Sequence, residues 1–300
     1  MSWLFLFLMI LVYTLQSFLT RLYSDRFPGS PEMAAPAFTI VSGLFVVAAS
    51  FAVSGFRFDI SWQTLVFGVI GGIAMVVYNE SIMKSVQRGP YSVMMVFQIS
   101  GAIIIPIFSA ALIFGDPISP VQIVCILAVL GSVYMISKKD GEETECKKGF
   151  WIASFALGIA NGVYGSLLNI QQEVTGAEEK EEMLAVIFGV AVLIAALRLA
   201  IQQKRSFFSV MKQTKLSAFY LILCSAVVVA GLFLLTALIG MMDLAILYTF
   251  DSSGMLVLSV ICSCIFLKEK ISTLNVIGLV TMCLALMCMS GWDLIVSVIF

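Results

Sequence analysis

A single carboxylate, Asp251, interrupts a long apolar segment that reads Leu-Ala-Ile-Leu-Tyr-Thr-Phe-Asp-Ser-Ser-Gly. In a helix that begins at residue 244, Asp251 would lie about 10 Å along the axis at ~1.5 Å per residue. A carboxylate at that depth in a membrane costs about 2.5–3.5 kcal/mol, so it usually faces water or a partner. The alternative is a helix that starts later and uses Asp251 and the two following serines as its N-cap.

The first interpretation makes Asp251 part of a polar site for substrate or for a coupling proton. Gln98 precedes it by 153 residues in a similar apolar segment. The two would form an asymmetric site, able to hold a cation, a proton or the amine of a zwitterion. Tyrosine rings can add cation–π contacts to an amine. The other candidates for this site are polar or tyrosine residues of apolar segments: Asn79, Asn161, Tyr164 and Tyr248.

Glu80, Lys84 and Arg88 follow one another at a spacing of four residues near the end of an apolar segment. On one helical face they can form a ladder of ion pairs. A structural role, in which the long side chains reach the membrane interface, is one interpretation. A salt-bridge gate formed by Glu80 and Lys84 is the other.

Three residues could bend or weaken the helices beside these polar positions. Proline removes a backbone donor and frees a carbonyl group, and broken helices at mid-membrane often line a substrate path. A bend that only suits packing is the alternative. The three helix-kink candidates are Gly101, Pro106 and Gly254.

The elements that must position these residues are apolar helices. Of the 300 residues, 61% are apolar and 12% are charged, whereas a soluble domain carries roughly 25% charged residues. About 20 apolar residues suffice to cross a bilayer as a helix, and continuous apolar runs favour helices over a barrel. Ten segments qualify: 3–20, 33–55, 62–83, 90–114, 118–136, 151–170, 183–201, 216–240, 244–267 and 271–290. The tail 293–300 is too short to span and is expected at the interface.

Several functional classes are excluded by the residue inventory. The net charge of −1 provides no basic field for nucleic acid. The absence of histidine excludes Ser-His proteases and HExxH zinc proteases. The seven cysteines form no CxxC pair, so metal-ribbon and thioredoxin spacings are missing. We expect no enzyme, no metal and no cofactor.

An internal repeat divides the chain. Gly-Asp-Pro-Ile-Ser-Pro-Val-Gln-Ile-Val at 115–124 parallels Lys-Glu-Lys-Ile-Ser-Thr-Leu-Asn-Val-Ile at 268–277. Each stretch follows the fourth segment of its half, so we expect repeats at 1–137 and 151–300, joined by a polar cytoplasmic linker at 138–150. Because five spans per half is an odd number, the halves would be inverted, as in many secondary transporters.

The distribution of Lys and Arg predicts the orientation. Loops after odd-numbered segments hold all of the 17 basic residues except Arg57 and Lys180. The positive-inside rule then places both termini outside the cell membrane.

The sequence resembles the drug/metabolite transporter superfamily, specifically its ten-span EamA-like members. The residues that carry the resemblance are Phe-Leu-Lys-Glu-Lys-Ile-Ser at 266–272, Asn-Val-Ile-Gly at 275–278, and Gln-Arg-Gly-Pro-Tyr-Ser at 87–92. Asp116 stands where the first half of family members commonly has a glutamate. The resemblance implies two five-helix bundles around a central cavity, lined mainly by the third, fourth, eighth and ninth spans. Family members often have cytoplasmic termini, whereas the charges here favour outward ones.

These patterns together predict a multi-pass transporter of the plasma membrane that works by alternating access. Its substrate would be a small metabolite, an amino acid or a cationic drug-like compound, with protons as candidate coupling ions. A flippase for a lipid-linked substrate is the alternative function within the same fold.

Overall fold

The protein is described from a computed structural model. The structure describes residues 2–27, 31–55, 59–115, 117–137, 146–175, 179–202, 215–239, 241, 244–269 and 272–299. Within the helices, the side chains at 31, 32, 172, 202, 236, 239, 244–246, 248, 249 and 290–299 lie outside this description.

The described residues form ten helices and no strand. Eight are long and apolar enough to cross a bilayer, and α9 and α10 contribute the shorter apolar stretches Phe250–Phe266 and Thr273–Met289. This indicates a multi-pass helical membrane protein, as the composition predicts. The helices are α1 Ser2–Arg26, α2 Pro31–Val53, α3 Trp62–Val86, α4 Tyr91–Ile113, α5 Pro120–Ser137, α6 Phe150–Thr175, α7 Lys180–Gln202, α8 Lys215–Ile239, α9 Leu244–Phe266 and α10 Thr273–Ile299.

The helix α9 begins at Leu244, as the apolar segment predicts, so Asp251 lies in its interior and the alternative of an N-cap at Asp251 is excluded. The helix α10 continues to Ile299, so residues 293–299 of the predicted tail extend this helix.

The repeated Ile-Ser motif marks two helix starts. Ser119 Oγ accepts a hydrogen bond from the backbone N–H of Gln122 at 3.1 Å, just before α5. Ser272 Oγ accepts the equivalent bond from Asn275 at 3.2 Å, just before α10. Each serine satisfies a backbone donor that the first turn leaves without a helical partner.

The helix α4 has no such cap of its own, since Pro90 precedes it. Glu269, from the turn after α9, supplies the acceptor: its carboxylate receives the backbone N–H groups of Tyr91 at 2.7 Å and Ser92 at 3.2 Å. Lys268 adopts a left-handed backbone with φ of 55° in the turn that carries Glu269 to α4. A carboxylate at a helix N-terminus also complements the helix dipole.

The most extensive helix pairs join one half of the chain to the other. The helix α6 packs on α3 and α4, and α1 packs on α8 and α9. The helices α2 and α7 pack together, as do α5 and α10. The helices of the two halves are therefore interleaved, whereas the resemblance implies two five-helix bundles.

Hydrogen bonds define one end of this bundle. Gln87, after α3, donates its side-chain amide to the Ser24 carbonyl oxygen of α1 at 3.0 Å. The N–H of Lys147, before α6, donates to the Arg88 carbonyl oxygen at 2.8 Å. The ends of α1 and α3 thus meet the start of α6.

Nearly all the described cations gather at this end, which we call the basic end. Lys180, at the start of α7, is at the opposite end. Concentration of Lys and Arg on one side is typical of a cytoplasmic face. The described cations of the basic end are Arg21, Arg26, Lys84, Arg88, Lys147, Lys148, Arg198, Lys215 and Lys268.

Close packing of α4 on α6 depends on glycine. A Cβ added to Gly101 would overlap the backbone of Gly158, and one added to Gly162 would overlap the Gly101 carbonyl oxygen. Small residues allow helix backbones to approach each other in this way. The seam holds α4 in place against α6.

We predict that Gly101→Ala destabilises the protein by about 1–3 kcal/mol, because the added methyl group forces the two backbones apart. Gly131→Ala in α5 is the matched control, since nothing lies within 4 Å of a Cβ there. The control should be about 0.5–1 kcal/mol more stable than the wild type, because alanine loses less backbone entropy on folding than glycine. Thermal unfolding of both purified variants in detergent measures the difference, and equal melting temperatures would contradict the prediction.

Candidate functional site

A cavity of about 340 Å³ lies in the middle of the bundle. All the helices except α5 contribute to its lining, and α6 contributes the most residues. The resemblance implies a lining mainly from the third, fourth, eighth and ninth spans, whereas in the structure α1 and α6 line the cavity along with α3, α4, α8 and α9. Its walls are mostly apolar, with polar groups at a few positions.

Asp251 and Gln98 both line this cavity, from α9 and α4 respectively. Gln98 is 4% exposed, and its side-chain amide donates to the Tyr78 hydroxyl oxygen at 3.0 Å. The Oδ1 of Asp251 and the Oε1 of Gln98 are buried and have no hydrogen-bond partner among the described residues. Buried acceptors without donors are costly, and a ligand that donates hydrogen bonds would satisfy them.

Two predicted site residues line the cavity but have partners from neighbouring helices. The Nδ2 of Asn161 donates to the Gln98 carbonyl oxygen at 3.1 Å, which joins α6 to α4. The Nδ2 of Asn79 donates to the Thr39 hydroxyl oxygen at 3.0 Å, which joins α3 to α2. These amides hold the walls of the cavity in position.

Tyr164 also lines the cavity, on α6. Tyr248 is in α9, and its side chain lies outside the described residues. Three further aromatic side chains of the lining come from α1, α2 and α7, namely Tyr13, Phe38 and Phe188. The cavity is therefore lined by several aromatic side chains as well as by polar groups.

Two further polar residues of the lining are Gln16 on α1, which sequence reasoning missed, and Asn169 on α6. The side-chain oxygens of both are buried without a hydrogen-bond partner among the described residues. A polar amide in an apolar span is a signal that could have pointed to Gln16. No Lys or Arg belongs to the described lining, and Asp251 is its one carboxylate.

The candidate gate residues lie near the basic end and outside the cavity lining. Lys84 Nζ is 3.4 Å from the Glu80 carboxylate, as the spacing predicts. Glu80 also pairs with Arg198 of α7, which sequence reasoning did not foresee. Arg88 is beyond the end of α3, so the predicted ladder stops at Lys84. The observed contacts tie α3 to α7.

The three kink candidates differ in their surroundings. Pro106 lines the cavity within a helix that continues to Ile113. Because proline has no N–H, the carbonyl group of Ala102 lacks its usual helical donor, and Ala102 lines the cavity too. Gly101 faces α6, and Gly254 faces the side chain of Ile10 on α1.

The bundle is closed between the cavity and the basic end. Residues 91–100 of α4 are buried except for Phe97, which is half-buried, whereas every residue from 101 to 113 is at least partly exposed. The Glu269 cap fastens the buried part of α4 to the end of α9. Large side chains that are almost completely buried fill this end: Tyr23, Met83, Tyr91, Met94 and Phe150.

A second glutamate, Glu179, fastens helix ends on the opposite side. Its carboxylate receives the Ser61 hydroxyl group at 2.8 Å and the Ser61 backbone N–H at 3.1 Å, which joins the starts of α7 and α3. Burial acts to raise the pKa of Glu179, but hydrogen bonds from Thr64 and Ser61 outweigh it and leave the pKa below its usual value.

We predict that Glu179→Gln lowers the melting temperature near neutral pH, because the ionised carboxylate is the form these donors stabilise. A carboxylate whose pKa is lower in the folded than in the unfolded protein stabilises the fold at pH values above its unfolded-state pKa. This stabilisation is lost as the pH falls through the folded-state pKa. The gap between wild type and variant should therefore close on acidification. Glu173→Gln, which removes an exposed carboxylate of α6, is the control. A gap that does not depend on pH would contradict the prediction.

Comparison with known proteins establishes the fold and no family. A total of 27 solved chains match this one. One, described only as "Crystal structure of protein", superposes with a TM-score of 0.62 over 96% of each chain at 14% sequence identity. At that identity the similarity shows a shared fold and says nothing about function. No protein-family profile and no curated protein matches the chain.

Proposed function

We propose that the protein is a secondary transporter that moves a small molecule across the plasma membrane by alternating access. The observation that carries this proposal is the central cavity, where Asp251 has a buried oxygen without a partner among the described residues. An intramembrane carboxylate that lines a cavity is characteristic of a substrate or ion pathway. Catalysis is not part of the proposal, since the chain has no histidine.

Helix boundaries support an inverted repeat of five helices. The starts of α3, α4 and α5 recur in α8, α9 and α10 at an offset of 153 residues, and the ends of α3 and α4 recur in α8 and α9. Glu269 follows α9 and touches the start of α4, so these equivalent helices run in opposite directions. Opposite threading of related helices is the arrangement of inverted-repeat transporters.

The cavity lining follows the same repeat. Gln98 and Ala102 of α4 correspond to Asp251 and Met255 of α9 at the offset of 153. At an offset of 148, Tyr13, Gln16 and Ser17 of α1 correspond to three lining residues of α6. A site shared by both halves can open to either side when the halves exchange conformations. The corresponding residues of α6 are Asn161, Tyr164 and Gly165.

The same features support the EamA-like resemblance as a proposal for the family. The Glu269 of its second-half motif caps α4, and the serine of each Ile-Ser pair caps the following helix. The family motif would then consist of residues that cap helices in each member of the family. Under the positive-inside rule the basic end is cytoplasmic, and both termini are outside.

A side chain introduced at Gly165 should block the site. Nothing lies within 4 Å of a Cβ at Gly165, which lines the cavity, so Gly165→Leu would occupy space that a ligand needs. Ligands from a thermal-shift screen of metabolites, cationic drugs and lipid-linked compounds raise the melting temperature by mass action. We expect Gly165→Leu to abolish these shifts.

Gly131→Leu is the matched control for this experiment, because Gly131 faces outward on α5. It should keep every ligand-induced shift. Equal shifts in both variants would place the ligands outside the cavity and contradict the proposal. Shifts caused by lipid-linked compounds alone would favour a flippase.

The Glu269 cap should hold the basic end closed. We predict that Glu269→Gln weakens this closure, because a neutral amide accepts backbone N–H groups less strongly than a carboxylate. A cysteine placed at Met95, which is buried at the basic end, should then react several-fold faster with a polar maleimide. Mass spectrometry of the labelled peptide distinguishes this site from the native cysteines.

The control is Glu179→Gln, which loosens helix ends on the opposite side and should leave the labelling of Met95→Cys unchanged. If Met95→Cys is labelled at the same rate with and without the Glu269→Gln substitution, the cap is not part of the closure. The reaction is followed in membrane vesicles and in detergent, so that an effect of solubilisation is recognised.

A further inference from the structure

The charges and hydrogen-bonding groups of the cavity restrict what can bind there. Its described lining holds one carboxylate, that of Asp251, and no Lys or Arg. An anion would meet the like charge of this carboxylate without a compensating cation, and burial of such a group is costly. A cation would neutralise the carboxylate.

Several hydrogen-bond acceptors of the lining have no donor. Besides the Oδ1 of Asp251, buried side-chain oxygens of Gln16, Gln98 and Asn169 have no partner among the described residues. Each is an acceptor that only a donor can satisfy. A ligand with N–H groups would meet this need, whereas a quaternary ammonium group carries a charge and no donor.

The rest of the wall suits an apolar body. Aromatic side chains come from Tyr13, Phe38, Tyr164 and Phe188, and methionine and leucine make up most of the other apolar side chains of the lining. A cation near such rings gains cation–π attraction, which is larger when water is excluded. The volume of about 340 Å³ lies at the lower end of the range of ligand pockets, ~300–1,000 Å³, and favours a compact molecule.

We propose that the substrate is a primary or secondary organic ammonium ion with a compact apolar or aromatic body, bound by Asp251 in exchange for a proton. This inference rests on the proposed function and names the substrate class of the same cavity. The ammonium and the proton compete for one carboxylate. When the ammonium enters, the proton leaves Asp251 for water, and when the ammonium leaves, a proton returns to the same oxygen.

Asp251 is the group whose titration this exchange requires. The other titratable side chains of the described lining are tyrosines on three helices, and the described lining residues of α4, α8 and α10 include no titratable group. No described cation of the lining competes with the substrate for Asp251. The tyrosines are Tyr13 on α1, Tyr78 on α3 and Tyr164 on α6.

A series of ligands with one body and different head groups tests the substrate class. Tryptamine, its N,N,N-trimethyl quaternary derivative and indole-3-acetate share an indole ring and differ in charge and N–H donors. We expect the purified full chain to bind tryptamine at least tenfold more tightly than the quaternary derivative, and indole-3-acetate weakest of all. Isothermal titration at constant pH measures the three affinities. Equal or reversed affinities of the amine and the quaternary ion would overturn the donor argument.

Variants at Asp251 test the exchange. Asp251→Asn should weaken tryptamine binding at least tenfold and remove its pH dependence. Asp251→Glu keeps the carboxylate and should retain both the binding of tryptamine and its dependence on pH. In the wild type, affinity should rise as the pH increases from acid, because the proton then no longer occupies the carboxylate. Glu173→Gln, which removes a carboxylate outside the cavity, should behave as the wild type. Unchanged binding by Asp251→Asn would overturn the proposal.

The two proposals fail in different ways. If no amine binds but another ligand is blocked by Gly165→Leu, the substrate class is wrong and the transporter proposal stands. If tryptamine binds equally to the wild type and to Gly165→Leu, the cavity is not its site. The substrate proposal is then overturned, whether or not the transporter proposal holds. If Gly165→Leu and Asp251→Asn both abolish binding while Gly131→Leu does not, both proposals are supported.

Discussion

Hydrocarbon provides no hydrogen bonds, so every polar side chain within the spans must find a partner or a cavity. Most of them have found partners: Asn79 bonds to Thr39, and Asn161 bonds to the Gln98 carbonyl oxygen. Asp251 differs from these residues, because its side chain is ionisable and has a buried oxygen without a described partner. The arrangement of nine helices around one cavity brings the remaining polar groups together with this carboxylate.

Packing divides the wall of the cavity into a tight side and a looser side. On the tight side, Gly101 meets the backbone of Gly158, and Gly72 meets the backbone carbonyl oxygen of Ile187 on α7. At the equivalent place on the other side, Gly254 meets the long side chain of Ile10. Backbone contact between helices leaves little freedom for sliding, whereas contact through a flexible side chain can change by rotation. The helices α3, α4, α6 and α7 therefore form the firmer part of the molecule.

Much of the fold was readable from the sequence because lipid imposes a simple rule on helix length and polarity. The ten apolar segments and the start of α9 at residue 244 follow from it. The repeat predicted that Gln98 and Asp251 share a site, and both line the cavity. The repeated Ile-Ser motif was readable as a turn, and its role as a pair of caps needed the hydrogen bonds. Helix ends were less predictable, since polar residues such as Lys84 and Gln171 continue a helix beyond its apolar core.

The contacts between distant segments could not be predicted. The pairing of Glu80 with Arg198 and the capping of α4 by Glu269 join residues far apart in the chain. Nothing in local spacing specifies which helices will be neighbours. The same limit applied to Gln16, whose polarity is visible in the sequence but whose position on the cavity depends on how α1 packs against α8 and α9.

The single carboxylate of the described lining has an electrical consequence. A site with one negative charge becomes neutral when it holds either one proton or one monovalent cation. Moving a neutral site across the membrane does no work against the transmembrane voltage, which otherwise amounts to about 2.3 kcal/mol per charge at ~100 mV. An exchanger built on Asp251 alone would respond to differences in acidity between the two sides and would be indifferent to the membrane potential.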